Sequence, residues 1–240
     1  MIVTPIKTRI FNENEDLIPF IKAHVRKLKE NSVLVITSKI VALAEGRTVV
    51  ATSKKEKEAV MRKESKAVIK TKIVNLTLKD GMLMAGAGID ASNANGKLVL
   101  LPKDSFKIAN DLHSKLKKMY GLKNLGILIT DSRTFPLRAG VIGVTTGFAG
   151  FKGIRDYRGR PDIFGRKMQF SRTNNADCLA TAAVFLMGEA NETCPLATIQ
   201  DAPLEFTDQK TKRNALSIPI ESDMYKPLLL PLIRKLKKKK

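Results

Sequence analysis

The sequence contains few of the residues that form disulfide bonds, stack on bases or cross a membrane. It has two cysteines and no tryptophan in 240 residues, which excludes a disulfide-bonded scaffold and is typical of a reducing compartment. The N-terminus lacks a continuous apolar segment, and no apolar run approaches the roughly 18 residues that span a bilayer. We therefore expect a soluble, cytoplasmic protein with no signal peptide.

Acidic residues are also scarce, since 23 Asp and Glu face 43 Lys and Arg, a formal charge of +20. Seven of these charges lie in the C-terminal segment MYKPLLLPLIRKLKKKK, so removing it still leaves +13. Such charge attracts polyanions, but nucleic-acid readers usually add aromatic platforms or a recognisable motif. With three tyrosines and no such motif, we expect a solvated basic surface and no nucleic-acid partner. Contact of the tail with a membrane or RNA stays open.

The hydrophobic fraction of 43% is that of a globular protein, and its periodicity predicts alternating elements. They alternate irregularly, without a repeat or a long linker, which favours an α+β fold of two interwoven lobes of mixed sheet and helices. We expect a module over residues 1–223 and a basic tail over 224–240. The predicted helices are Asp16–Lys29, Lys54–Ile69, Asp104–Gly121 and Asn174–Glu189, and the clearest predicted strands are Asn31–Lys39 and Asn124–Thr130.

Three segments combine glycine with polar or charged residues and are candidates for chemistry. In Gly86–Gly96, glycines allow backbone N–H groups to approach a phosphate, and Asp90 could hold a hard cation. In Ile129–Gly140, Asp131 and Ser132 follow a hydrophobic strand and offer oxygen ligands for magnesium. A plain surface turn remains an alternative for the first segment, and an Asx turn for the second.

The third segment, Asp156–Lys167, is rich in arginine. Its Arg158 and Arg160 are candidate cofactor-binding residues, because guanidinium groups match phosphate and carboxylate oxygens. A solvated network of ion pairs is the alternative. His24, His113 and the two cysteines lack the spacing of a metal site.

Four motifs together resemble the coenzyme F420-0:L-glutamate ligase family: VLVITSKIVALAEGR, AGIDASN, LGILITDS and DYRGRPDIFGRKM. The resemblance extends from about Val33 to Pro195. It implies an α+β fold, a homodimer, Mg²⁺ or Mn²⁺, and GTP, with ATP possible. It also implies a reaction in which a carboxylate is phosphorylated and the amine of L-glutamate then displaces the phosphate.

The resemblance also implies roles for individual residues. Asp90 and Asp131 would be the catalytic metal ligands, and Ser132 would contribute to a second metal. Ser38, Lys39 and Asn93 would contact the nucleotide.

Several positions depart from the family pattern, and most of them remove a cation or a polar group. A usual lysine falls at Leu43, a usual asparagine at Gly86 and a usual arginine at Phe135. A Val-Arg-Gly motif reads Ile199, Gln200 and Asp201, and a Leu-Pro nucleotide motif is replaced by residues 8–11. Each lost cation would weaken a phosphate contact by about 1–3 kcal/mol.

The sequence thus predicts a metal- and nucleotide-dependent ligase that joins L-glutamate to a carboxylate of a cofactor such as F420-0. Three alternatives stay open. The acceptor could be a folate or another pterin-like cofactor, the chain could be a non-catalytic relative that binds a nucleotide or anion, or it could be a polyanion-binding protein.

Overall fold

The structure is a computed structural model and describes residues 1–237. Within those residues, no helix is both long and apolar enough to cross a membrane. The six helices are α1 Leu17–His24, α2 Ser38–Ala44, α3 Lys54–Glu64, α4 Ser105–Tyr120, α5 Asn175–Met187 and α6 Lys226–Lys237. The strands are β1 Ile2–Ile6, β2 Ser32–Thr37, β3 Thr48–Val49, β4 Ala67–Ile69, β5 Leu76–Lys79, β6 Met82–Ala85, β7 Leu98–Val99, β8 Leu125–Thr134, β9 Val141–Ala149, β10 Ile154–Asp156, β11 Arg172–Asn174 and β12 Leu196–Gln200.

A five-stranded mixed sheet in the order β1-β12-β2-β8-β9 forms the centre of the fold. The central strands β2 and β8 are parallel, whereas their neighbours pair antiparallel. The smaller sheets β4-β5-β6 and β3-β7 come from the chain between α2 and α4. The fold is therefore α+β, as the sequence predicts.

Two hydrophobic clusters cover the two faces of the central sheet. One contains Ile36, Ile127 and Leu116 with residues from α1, α2 and α4. The other contains Val35, Leu128 and residues from α5. Because neighbouring strand residues point to opposite faces, the unbroken apolar runs of β2 and β8 are what a strand buried on both sides requires.

Helix α4 shows how local sequence sets an element's ends. Its N-cap Asp104 accepts a hydrogen bond from the N–H of Lys107 at 2.9 Å, and Gly121 ends the helix in the left-handed region with φ of 66°. Both ends were predicted, because an aspartate cap and a terminal glycine satisfy free backbone groups at the two ends of a helix.

The predicted helix Lys54–Ile69 is wrong in its last part. Helix α3 ends at Glu64, where the hydroxyl of the next residue, Ser65, donates to the carbonyl of Met61. The chain then turns into β4, whose Ala67 pairs with Leu78 of β5. Strand pairing thus competes with helix propensity and prevails over the last residues of the segment.

Strand β8 also differs from the prediction, because it continues past Thr130 to Thr134. Beyond the end of β2, its one strand partner among residues 1–237 is β9, so that Asp131 lies opposite Val144. Asp131 therefore belongs to a strand and not to an Asx turn. The antiparallel partner β9 supplies the backbone hydrogen bonds that an isolated strand end would lack.

Candidate active site

The predicted site residues lie at the carboxyl ends of the parallel strands β2 and β8. Thr37 pairs with Thr130 at this edge, helix α2 begins with the next residue Ser38, and β8 continues with Asp131. In open sheets with parallel strands, this edge is the usual position of ligand sites. The topology thus brings the TSK and ITDS segments of the sequence together.

Asp90 reaches this edge from the segment between β6 and β7. Its backbone pairs with Val99 through hydrogen bonds of 2.9 and 2.8 Å, and its carboxylate accepts from the N–H of Ser92 at 2.7 Å. The Nζ of Lys39 lies 2.7 Å from Asp90 Oδ2 and also contacts the carbonyl oxygen of Ser92 at 3.0 Å. Burial raises the pKa of Asp90, but the Lys39 ammonium and the Ser92 hydrogen bonds outweigh it and hold the pKa below its usual value.

Asp131 is paired with a cation that the sequence analysis did not single out. Arg133 Nη1 forms an ion pair with Asp131 Oδ2 and donates to the carbonyl of Ser132 at 3.0 Å. Burial raises the pKa of Asp131 despite this guanidinium, and the charge of Asp90 raises it further. Lys39, which holds Asp90, lies two residues after Thr37. Thr37 pairs with Thr130, the residue before Asp131, so the two predicted metal ligands lie at the same edge of the sheet.

A third carboxylate, Glu189, joins the site and was missed by the sequence analysis. The hydroxyl of Ser132 donates to Glu189 Oε2 at 3.1 Å. Burial raises the pKa of Glu189, and the charges of Asp131 and Asp90 raise it further. In the sequence, Glu189 directly follows Gly188, the residue at which α5 ends. It lies within the predicted helix Asn174–Glu189, and no motif marks it as functional.

Close packing of α5 on β9 sets the position of Glu189. A Cβ at Gly143 would lie 2.3 Å from the carbonyl oxygen of Ala180, so a larger residue there would push the helix away. The hydroxyl of Thr181 donates to the carbonyl of Gly143 at 2.8 Å and fixes the same contact. The end of α5, and with it Glu189, is thus fixed relative to β8.

The types of donor atom at this site are suited to a hard divalent cation. Carboxylate and hydroxyl oxygens from Asp90, Asp131, Ser132 and Glu189 are the ligands that Mg²⁺ and Mn²⁺ prefer. Within residues 1–237, however, no three acidic, histidine or cysteine side chains form a ready-made metal cluster. Two of the carboxylates are instead held by Lys39 and Arg133.

The other residues predicted to bind a nucleotide or cofactor divide into two groups. Ser38 is buried at the start of α2, and the Asn93 amide donates to the carbonyl of Ala190 at 3.0 Å, next to Glu189. These two belong to the same site. Arg158 instead forms an ion pair with Asp156, and the Arg160 guanidinium lies 5.6 Å from the ring centre of Tyr157. Across the described chain, no hydrogen bond or ion pair connects either arginine to Asp90 or Asp131.

The departures from the family pattern have different structural settings. Leu43 lies in α2 and packs against the hydrophobic cluster that contains Ile36 and Ile127. Gly86 has a φ of 54° in a 3₁₀ turn. Gln200 ends β12 opposite Ile2. Phe135 is 46% exposed just beyond β8. Arg133, two residues before Phe135, provides a guanidinium on the strand that carries Asp131.

Comparison with known proteins identifies the family. A model of the family described as F420-0:Gamma-glutamyl ligase matches residues 5–201, a longer stretch than the motifs alone indicate. A protein named coenzyme F420:L-glutamate ligase from Methanococcus maripaludis strain C7 is 38% identical over 130 residues, which are 54% of this chain and 52% of that protein.

Two longer matches carry the same name. One, from Methanococcus maripaludis strain S2, is 32% identical over 200 residues, covering 82% of this chain and 79% of that protein. The other, from Methanopyrus kandleri, is 29% identical over 233 residues and covers 89% and 91%. The family match over residues 5–201 and these relatives agree with the arrangement of motifs at the β2–β8 edge, and the chain belongs to the F420-0:gamma-glutamyl ligase family.

Proposed function

We propose that this protein is a ligase that joins L-glutamate to the carboxylate of F420-0, using GTP or ATP and Mg²⁺ or Mn²⁺. The observation that carries the proposal is a pair of contacts at the carboxyl edge of β2 and β8: Lys39 contacts Asp90, and Ser132, the neighbour of Asp131, contacts Glu189. Membership of a ligase family supports the reaction type, and the names of the relatives support the two substrates.

The three carboxylates are proposed to hold the metal, with Ser132 contributing its hydroxyl. A divalent ion bound there would neutralise phosphate oxygens and the charge that develops on the transferred phosphoryl group. Asp90 and Asp131 approach the site from different elements, a loop and a strand. A metal ion bound by both side chains would join these two elements.

Lys39, Ser38 and Asn93 are proposed to bind the nucleotide. The Lys39 ammonium carries the charge that phosphate oxygens require, and its side chain is 25% exposed. Ser38, the residue before Lys39, would supply a hydroxyl, and Asn93, three residues after Asp90, would supply an amide. Because Asn93 also contacts the turn that carries Glu189, nucleotide contacts and metal ligands share one framework.

The reaction is proposed to proceed through an acyl phosphate. The acceptor carboxylate oxygen attacks the γ-phosphorus, and the bond to the nucleoside diphosphate breaks. The amine of L-glutamate then attacks the acyl carbon, phosphate leaves with its bonding electrons, and the amine loses a proton. Arg158 is engaged by Asp156, whereas Arg160 forms no ion pair among residues 1–237, so Arg160 is the more available of the two loop arginines to bind an anionic group of a substrate.

A homodimer forms part of the proposal. Among the described residues, exposed large apolar side chains include Leu137 at the β8–β9 turn and Phe164 and Phe170 between β10 and β11. Large apolar side chains exposed in this way are candidates for a protein–protein contact. Light scattering in solution is expected to give twice the chain mass of 26.5 kDa, and a mass of one chain would contradict the dimer.

The alternative of a non-catalytic relative rests on the replaced cations at Leu43, Phe135 and Gln200. The experiment that separates it from a ligase is a product assay. The full-length protein is incubated with GTP or ATP, Mn²⁺, L-glutamate and, in separate reactions, F420-0, folates and related acids. Mass spectrometry then measures the addition of one glutamyl unit.

We expect glutamylated F420-0, formed only when nucleotide and metal are both present. Product from a folate alone would reassign the acceptor while retaining the reaction. Absence of product across the panel, with nucleotide binding intact, would contradict the ligase and support the non-catalytic alternative. Salt-dependent binding of nucleic acid that survives Asp90→Ala would support a polyanion-binding protein.

A further inference from the structure

Two basic side chains occupy the carboxylates that are proposed to bind metal. Lys39 is held on Asp90 and Arg133 on Asp131, while the third carboxylate, Glu189, accepts a hydrogen bond from a hydroxyl. The five side chains together carry a net formal charge of −1. This charge is low for a site that is to attract divalent cations, because two of the three carboxylates already have a cationic partner.

Only part of the hydrogen-bonding capacity of the Arg133 guanidinium is used within the described part of the chain. Its side chain is 11% exposed. Within residues 1–237, Nη1 alone donates hydrogen bonds, to the carboxylate of Asp131 and the carbonyl of Ser132. The Nε and Nη2 atoms are buried and, among the described residues, have no hydrogen-bond acceptor. These two atoms form the edge of a guanidinium that binds carboxylate or phosphate oxygens through two parallel hydrogen bonds. Buried donors without an acceptor are rare in folded proteins, so these two N–H groups are available to an additional acceptor.

Lys39 has a more open setting but a similar role. Its Nζ contacts three oxygens of the Asp90 segment, namely Asp90 Oδ2 at 2.7 Å and the carbonyl and hydroxyl oxygens of Ser92 at 3.0 and 3.2 Å. A carboxylate, a carbonyl and a hydroxyl are also oxygen types that bind a divalent cation. The lysine and a metal ion thus compete for the same oxygen atoms.

We propose that Lys39 and Arg133 are counter-ions that make divalent-cation binding depend on the nucleoside triphosphate. Before nucleotide binds, they neutralise Asp90 and Asp131. Phosphate oxygens accept the hydrogen bonds of the two cations and release the carboxylates to the metal. This inference rests on the proposed function, and it adds an order to the binding of its two ligands. Since linkage is reciprocal, metal must strengthen nucleotide binding by the same factor.

The test measures two affinities by calorimetry, that of Mn²⁺ alone and that of Mn²⁺ complexed with a non-hydrolysable GTP analogue. For the unmodified protein, we expect Mn²⁺ alone to bind at least about tenfold more weakly than in the presence of the analogue. In Arg133→Met, Mn²⁺ alone should bind several-fold more tightly, because the site has lost a positive charge, whereas the Mn²⁺–nucleotide complex should bind more weakly.

The opposite signs distinguish this role from a structural one, which would weaken both ligands together. Arg133→Lys keeps the charge and should retain the low affinity for Mn²⁺ alone. Lys39→Met, at a more exposed position, provides the second variant if Arg133→Met does not fold, and it should show the same opposite changes.

Two outcomes would overturn the proposal. One is equal affinity of the unmodified protein for Mn²⁺ with and without the analogue. The other is loss of affinity for both ligands in Arg133→Met and Lys39→Met while circular dichroism shows an intact fold. If the analogue binds but its affinity is independent of Mn²⁺, only the counter-ion role fails. If the unmodified protein binds neither Mn²⁺ nor the analogue, the proposed function fails with it.

Discussion

Asp131→Asn is expected to lower kcat for glutamylation about a thousandfold, equal to about 4 kcal/mol of transition-state stabilisation. The amide keeps the size of the side chain but removes the negative charge that binds a divalent cation. It also leaves the buried Arg133 guanidinium without its counter-charge. Steady-state kinetics at saturating nucleotide and Mn²⁺ measure the effect.

The stability of the variant needs a separate measurement. An uncompensated buried cation is expected to lower the free energy of unfolding by about 1–3 kcal/mol, which urea titration detects. Asp111→Asn is the matched control, because Asp111 is an exposed carboxylate of α4 paired with Lys107 at 2.7 Å. This control should leave both kcat and stability nearly unchanged. Full activity of a folded Asp131→Asn protein would remove Asp131 from the site.

Glu189→Gln is expected to lower kcat/KM about a hundredfold and to raise the Mn²⁺ concentration needed for half-maximal rate. The amide can still accept the hydrogen bond from Ser132, so the turn after α5 should stay in place. The loss of charge, and not of structure, then causes the defect. Partial recovery at high Mn²⁺ would identify Glu189 as a metal-site residue.

The control for this variant is Glu205→Gln. Glu205 is exposed and forms an ion pair with Lys152 away from the β2–β8 edge. It carries the same chemical change and should leave both kinetic constants unaltered. A Glu189→Gln protein with an unchanged metal requirement would show that Glu189 does not contribute to the metal site.

Much of the fold could be predicted because local signals and periodicity agreed. The cap Asp104, the terminator Gly121 and the apolar runs of β2 and β8 each fix an element within a short stretch of sequence. The predictions are wrong where pairing between separate segments determines the secondary structure. Examples are β4, which pairs with β5, and β8 beyond Thr130, which pairs with β9. The predicted division into residues 1–223 and a tail stays a prediction, although α6 occupies Lys226–Lys237. Residues 238–240 lie outside the described chain.

The candidate site was only partly predictable for the same reason. The motifs led to Lys39, Asp90 and Asp131, and the structure places these residues at one edge. Glu189 reaches Ser132 through the packing of α5 on β9, a contact between residues far apart in sequence. Arg133 could not be singled out because a charged residue on a strand gives no signal of burial. Its pairing with Asp131 depends on the pairing of β8 with β9.

Asp90 and Asp131 are proposed to hold the metal at the carboxyl edge of β2 and β8. Anomalous diffraction from crystals grown with Mn²⁺ and a non-hydrolysable GTP analogue locates the metal. We expect a manganese peak in direct contact with carboxylate oxygens of both aspartates, with the analogue's phosphates beside Lys39. Manganese bound with the ordered analogue elsewhere on the chain, away from both aspartates, would show that the two residues do not form the metal site.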